Sequence, residues 1–114
     1  MPYIKTTTNV EINSQIKDSL KSKLGEAITA LPGKTERWLM LSFEGNTPMS
    51  FGGRTDENYA FVDVSIFGTA SAENFEKLTA AITKAIGEEL AVKPENTYVK
   101  YEEVKHWGWN GGNF

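Results

Sequence analysis

The order strand, helix, strand is written twice into this 114-residue chain, and the doubling constrains its fold more than any other feature. Tyr3 to Thr7 has strand character and leads, through Thr8 and Asn9, into an amphipathic segment. There Ile12, Ile16, Leu20, Leu24, Ile28 and Leu31 recur at the spacing of one helix face. Asn13 or Ser14 can cap its start, and Pro32-Gly33 stops it. Lys17, Lys21, Lys23 and Glu26 fall off the stripe and read as its solvated side. Trp38 to Phe43 then forms a nearly continuous apolar run of strand length. That is the pattern of a strand covered on both faces, and it predicts a central position in the sheet. After turn-forming residues between Gly45 and Gly53 the order returns: Tyr59 to Phe67 alternates as a strand, and Phe75, Leu78, Ile82, Ile86 and Leu90 give a second stripe. Leu31 and Lys34-Thr35-Glu36 have counterparts in Leu90 and Lys93-Pro94-Glu95 at one common offset.

Parallel strands joined through a helix cross over right-handedly, so two such units side by side place both helices on one face of one sheet. The sequence therefore predicts a single α/β domain over residues 1–114: a duplicated βαβ with a four-stranded mixed sheet. The repeats run from about residue 2 to 45 and 58 to 103, and residues 104–114 form a tail. A chain of this length buries about 60 to 70% of its unfolded surface. No element is left to cover the second sheet face, and Trp38 to Leu41 carry apolar side chains on both sides of their strand. Self-association is the expected cover. Trp107, Trp109 and Phe114 lie among glycines in the tail, where aromatic rings need a docking surface; a neighbouring subunit is the expected one.

Several function classes fall away on composition. A net charge of −3 offers no basic footprint for nucleic acid, and the absence of cysteine removes disulfides, thiolate catalysis and zinc thiolates together. His106 is the only histidine and has no Ser, Cys or ligand cluster around it, so neither metal nor cofactor is expected. The opening Met1-Pro2-Tyr3-Ile4-Lys5-Thr6 is not a signal peptide, and no apolar run has membrane-spanning length. A cytoplasmic protein, or one exported without a leader, is expected.

Pro2 carries the chemistry. Excision of Met1, which a small following residue permits, leaves a secondary amine at the terminus, a base that no side chain offers. An α-amino group titrates near pH 8 in peptides, and burial beside a cation such as Lys34 lowers that value toward neutrality, where a general base works best.

With Thr8-Asn9-Val10, Gly33-Lys34, Phe51-Gly52-Gly53, Ser65-Ile66, Tyr98-Val99-Lys100-Tyr101 and Gly108-Trp109-Asn110 before Phe114, the whole chain resembles the macrophage migration inhibitory factor family of the tautomerase superfamily. The resemblance implies a homotrimer whose three sheets form a barrel, with active sites at the subunit boundaries. It implies keto–enol tautomerisation of α-keto acids such as phenylpyruvate, with Pro2 shuttling the proton. Lys34 would hold the substrate carboxylate, the backbone amide of Ile66 would assist it, and Tyr98 would reach the oxyanion from the adjacent subunit. Lys100 replaces an asparagine of the best-known mammalian member; it either adds a cation at the pocket mouth that favours dicarboxylates or points into solvent. Tyr3, Trp107, Trp109 and Phe114 are candidates for an aryl-binding wall, with subunit packing as their alternative. Arg37 could also bind a carboxylate, but beside Glu36 it reads as a surface ion-pair partner and is left outside the core site. Asn58 and Phe61 stand where some members carry a Cys-x-x-Cys pair, which removes thiol-disulfide oxidoreductase chemistry. Two other readings follow from the family: a cytokine-like protein binding a cell-surface receptor through the trimer surface, with turnover incidental, and dehalogenase or decarboxylase chemistry. The last needs a water-activating carboxylate near Pro2, and no Asp or Glu stands out for it.

Overall fold

A computed structural model describes every residue from Met1 to Phe114. Strand β1 (Pro2–Thr8) leads to helix α1 (Ser14–Ala27), a 3-10 turn (Ile28–Ala30) and strand β2 (Met40–Glu44). Strand β3 (Ala60–Phe67), helix α2 (Ala72–Leu90), a further 3-10 turn (Pro94–Asn96) and strand β4 (Thr97–Val104) repeat that order. Asn13 caps α1 by accepting the Ile16 amide at 2.8 Å, and Ser71 does the same for α2 with Asn74 at 3.1 Å, each satisfying an amide the helix itself leaves unpaired.

The sheet order is β2-β1-β3-β4, with β1 parallel to β2, β3 parallel to β4, and the two halves joined antiparallel at β1 and β3. Burial alternates strictly along β1 and β3, so one sheet face takes the core and the other stays open. Ile4, Val62, Val64 and Ile66 meet Leu20, Leu24, Ile28, Leu78, Ile82 and Ile86 in one cluster, where each aliphatic side chain contributes about 1.5–3 kcal/mol through burial.

Two expectations need correction here. The apolar run at Trp38 does not give a central strand: Glu36–Trp38 form a 3-10 turn, and β2 begins at Met40 on the edge of the sheet. Hydrophobicity on both sides of a strand reports what covers its faces, whereas its place in the order depends on which strands share backbone hydrogen bonds. Leu41 and Phe43 pack against the core, and Met40 is 68% exposed on the other side.

The open face is also less apolar than the Trp38–Leu41 run suggested. Its centre carries Lys5 paired with Glu44 (3.5 Å), and Lys100 paired with both Asp63 (3.3 Å) and Glu102 (3.0 Å), with the Tyr3 hydroxyl bonded to Ser42 Oγ at 2.6 Å. Exposed apolar groups gather instead at the two edges: Trp38 and Met40 by β2, and Tyr98, 58% exposed, on β4. Tyr98 leans on Phe51 (4.8 Å between ring centroids) and Phe61 (6.5 Å). Phe51 is fixed by a tight turn whose two central residues, Gly52 and Gly53, both have positive φ, a conformation that residues with a Cβ resist.

The tail folds on its own chain. Strands β5 (Gly108–Trp109) and β6 (Gly112–Asn113) make a hairpin whose two loop residues, Asn110 (φ 53°) and Gly111 (φ 80°), both lie in the left-handed region. Trp109 meets Trp38 edge-on at 5.2 Å, and Phe114 packs on Phe67 at 5.5 Å. Two of the three rings expected to dock on a neighbouring subunit, Trp109 and Phe114, thus find ring partners within the protomer while staying about half exposed (52% and 53%), and Asn110-Gly111 was the local signal for that hairpin.

Candidate active site

One cleft dominates the surface, about 880 Å3 in volume, where the start of β1 meets the 3-10 turn before β2 and the C-terminal hairpin. Met1, Pro2 and Tyr3 form its floor with Ser65 of β3. Trp38, Leu39 and Met40 line one side, and Trp107 and Trp109 another. Pro2 is buried because its side of β1 faces the core, and its register partner on β3 is Ile66.

Lys34 reaches the same end of the sheet from the loop after α1. Its ammonium donates to the Phe67 carbonyl at 3.0 Å, which anchors a cation beside the chain terminus. The Met1 amine is held below its ordinary value, first by burial, then by the Lys34 charge and the Lys34 hydrogen bond. An amine whose pKa is lowered thus stands next to an anchored ammonium. No group of three or more His, Cys, Asp or Glu side chains here could hold a metal ion.

The sequence profile of the family described as Macrophage migration inhibitory factor (MIF) matches residues 1–114. The chain belongs to the MIF family. It is 24% identical to the macrophage migration inhibitory factor of Meriones unguiculatus over 118 residues, covering 100% of this chain and 99% of the relative. The crystal structure of Leishmania major MIF2 superposes with a TM-score of 0.93 at 34% identity, covering 100% of this chain and 97% of that one. The Toxoplasma gondii macrophage migration inhibitory factor shares the fold at a TM-score of 0.90 and 24% identity, covering 98% of this chain and 99% of that one. The MIF family lies within the tautomerase-type isomerases, and its members are tautomerase and cytokine-like proteins.

Against the MIF pattern, the residues expected at the site divide into three groups. Pro2, Tyr3, Trp107 and Trp109 line the cleft together. Lys34 and Phe114 are not among the lining residues: Lys34 lies beside the chain terminus, bonded to the Phe67 carbonyl, and Phe114 stacks on Trp109 (6.2 Å, 15° between planes).

Ile66 lies level with Pro2, and the amide that bonds Met1 is that of the following residue. The Phe67 amide donates to the Met1 carbonyl at 3.0 Å, and Gly68 donates to Val104 on the opposite side. Alternate residues of a strand direct their amides to opposite neighbours, so the Ile66 amide turns toward β4 and the amide facing the terminus belongs to Phe67. The side chain of Ile66 is 1% exposed and belongs to the core.

Tyr98 and Lys100 lie away from the cleft of their own chain. Pro2 is level with Ile66, and Ile66 with Glu103, so Tyr98 is five residues distant along β4, about 16 Å at strand rise. Lys100 is neutralised by Asp63 and Glu102, whose bonds raise its pKa, Glu102 most. Of the two expectations for Lys100, the free cation at a pocket mouth is the one its ion pairs oppose. Arg37, read from the sequence as a surface ion-pair partner, lines the cleft, with its guanidinium 5.1 Å from the Trp38 ring centroid.

Proposed function

We propose that the protein is a keto–enol tautomerase acting on α-keto acids such as phenylpyruvate, with Pro2 as the proton-transferring base once Met1 is removed. The observation that carries this reading is the partly buried chain terminus beside Lys34, at a largely apolar cleft, with the Met1 amine pKa lowered. Removing Met1 exposes the Pro2 nitrogen at this position and also releases the Phe67 amide from its bond to Met1. The Lys34 ammonium and the Phe67 amide then converge on one carboxylate. A neutral Pro2 nitrogen takes the proton from the carbon α to the carbonyl, and the cation beside it favours the enolate that forms; the same proton returns to oxygen or carbon. The apolar walls keep water from competing for the base.

The site is completed by a second copy of the chain in a homotrimer. Two observations support that assembly: the exposed apolar groups concentrate at opposite sheet edges, and Tyr98 stands too far from Pro2 of its own chain to meet the same substrate. The charged centre of the open face suits a hydrated lumen rather than a dry interface. Tyr98, braced by Phe51 and Phe61, then donates to the oxyanion of the neighbour's site.

The test is turnover of the enol and keto forms of phenylpyruvate by protein whose intact mass shows Met1 absent. Pro2→Gly is expected to lose about a hundredfold or more in kcat/KM, the usual share of a positioned base. Equal turnover by Pro2→Gly, or by protein retaining Met1, overturns the assignment.

A further inference from the structure

We propose that Arg37 makes this cleft selective for enolisable α-keto acids that carry a second carboxylate at the end remote from the keto group. The proposal rests on the cleft being the substrate site, and it adds a substrate class to that reading. Arg37 is the only residue lining the cleft whose side chain bears a charge. It makes no ion pair and no hydrogen bond with the rest of the chain, whereas Arg54, the other arginine, is bound to Glu57 at 2.6 Å. Lys17, Lys21, Lys84 and Lys105 are also without an ion pair, but none of them lines the cleft.

The position of Arg37 is supported rather than incidental. Its guanidinium lies against Trp38, and Trp38 is braced edge-on by Trp109, so the aromatic face limits the rotamers of the cation above it. Stacking leaves the N–H groups at the guanidinium edge free, and those groups match a carboxylate bidentately. Lys34 holds its charge at the terminus through Phe67, while Arg37 holds a second charge on the wall formed by Trp38. Leu39, Trp107 and Trp109 supply apolar surface within the same cleft for the carbon skeleton. An acid with one carboxylate at the keto end satisfies Lys34 alone. A diacid satisfies both cations. Lys100, the residue first considered for such a role, already has two carboxylate partners.

The experiment compares para-carboxyphenylpyruvate with phenylpyruvate, as a ratio of kcat/KM, in wild type, Arg37→Gln and Arg37→Lys. The ratio is expected to fall about tenfold or more in Arg37→Gln, the size of one charge-assisted hydrogen bond, and part of it returns in Arg37→Lys, which keeps the charge without the fork. A ratio that stays within about twofold in Arg37→Gln overturns the proposal while leaving the role of Pro2 intact. Binding is read separately from turnover with para-carboxyphenylpropionate and phenylpropionate, which cannot enolise, through the fluorescence of Trp38, Trp107 and Trp109 in the cleft. Tighter binding of the diacid that disappears in Arg37→Gln supports the proposal even if Pro2 proves not to be the base. Equal binding of the two acids by wild type overturns it.

Discussion

Lys34→Gln separates two consequences of a single cation. The Lys34 ammonium is part-buried and donates to the Phe67 carbonyl at 3.0 Å, close enough to the chain terminus to lower its amine through both charge and hydrogen bonding. Glutamine keeps a donor but loses the charge and most of the reach. The substrate carboxylate then forfeits one charge-assisted hydrogen bond, of about 1.5–3 kcal/mol, which corresponds to roughly a ten- to hundredfold fall in kcat/KM. The pH profile moves as well. Catalysis needs the neutral amine, so activity rises as pH passes upward through the amine pKa. With the Lys34 contributions removed and burial, the larger cause, still present, that pKa rises, and the acid limb of log kcat/KM shifts to higher pH. The assay is phenylpyruvate ketonisation across the acid limb, on protein with Met1 removal verified by mass. A fall in kcat/KM with an unmoved limb refutes the electrostatic coupling. A limb that moves toward acid refutes the sign of the argument.

Mixing Pro2→Gly chains with Tyr98→Phe chains tests the shared site. Each variant alone is expected to be crippled, Tyr98→Phe by about a hundredfold for a lost oxyanion donor, and hybrids reassembled from both regain activity because some sites receive intact Pro2 and intact Tyr98; sedimentation as a monomer, or no recovery in verified hybrids, counts against it. Ile82→Ala in the core, where Ile82 is fully buried, is expected to cost about 2–5 kcal/mol in urea unfolding with little change in m. Gly53→Val forces a β-branched residue to a φ of 77° and is expected to destabilise by about 1–2 kcal/mol, read as a melting temperature several degrees lower; an unchanged midpoint denies that the turn is needed to seat Phe51.

Much of this architecture could be read from residue spacing. The stripes Ile16-Leu20-Leu24 and Leu78-Ile82-Ile86 fixed two helices, and the alternation from Tyr59 to Phe67 fixed a strand, because those periods arise from local geometry and need no knowledge of distant partners. Pro2, Lys34 and the tail tryptophans were legible as a constellation, and the fold brings them to one end of the sheet. Tertiary structure alone decided the remainder. Strand order depends on which backbones pair, so an apolar run could not reveal that β2 is an edge. Which amide faces the terminus depends on how the strands pair, and the one that bonds Met1 is that of Phe67. Charge, finally, has no address in a sequence: Lys100 and Arg37 are equally cationic on paper, and only their neighbours in space neutralise the first and leave the second open in the cleft.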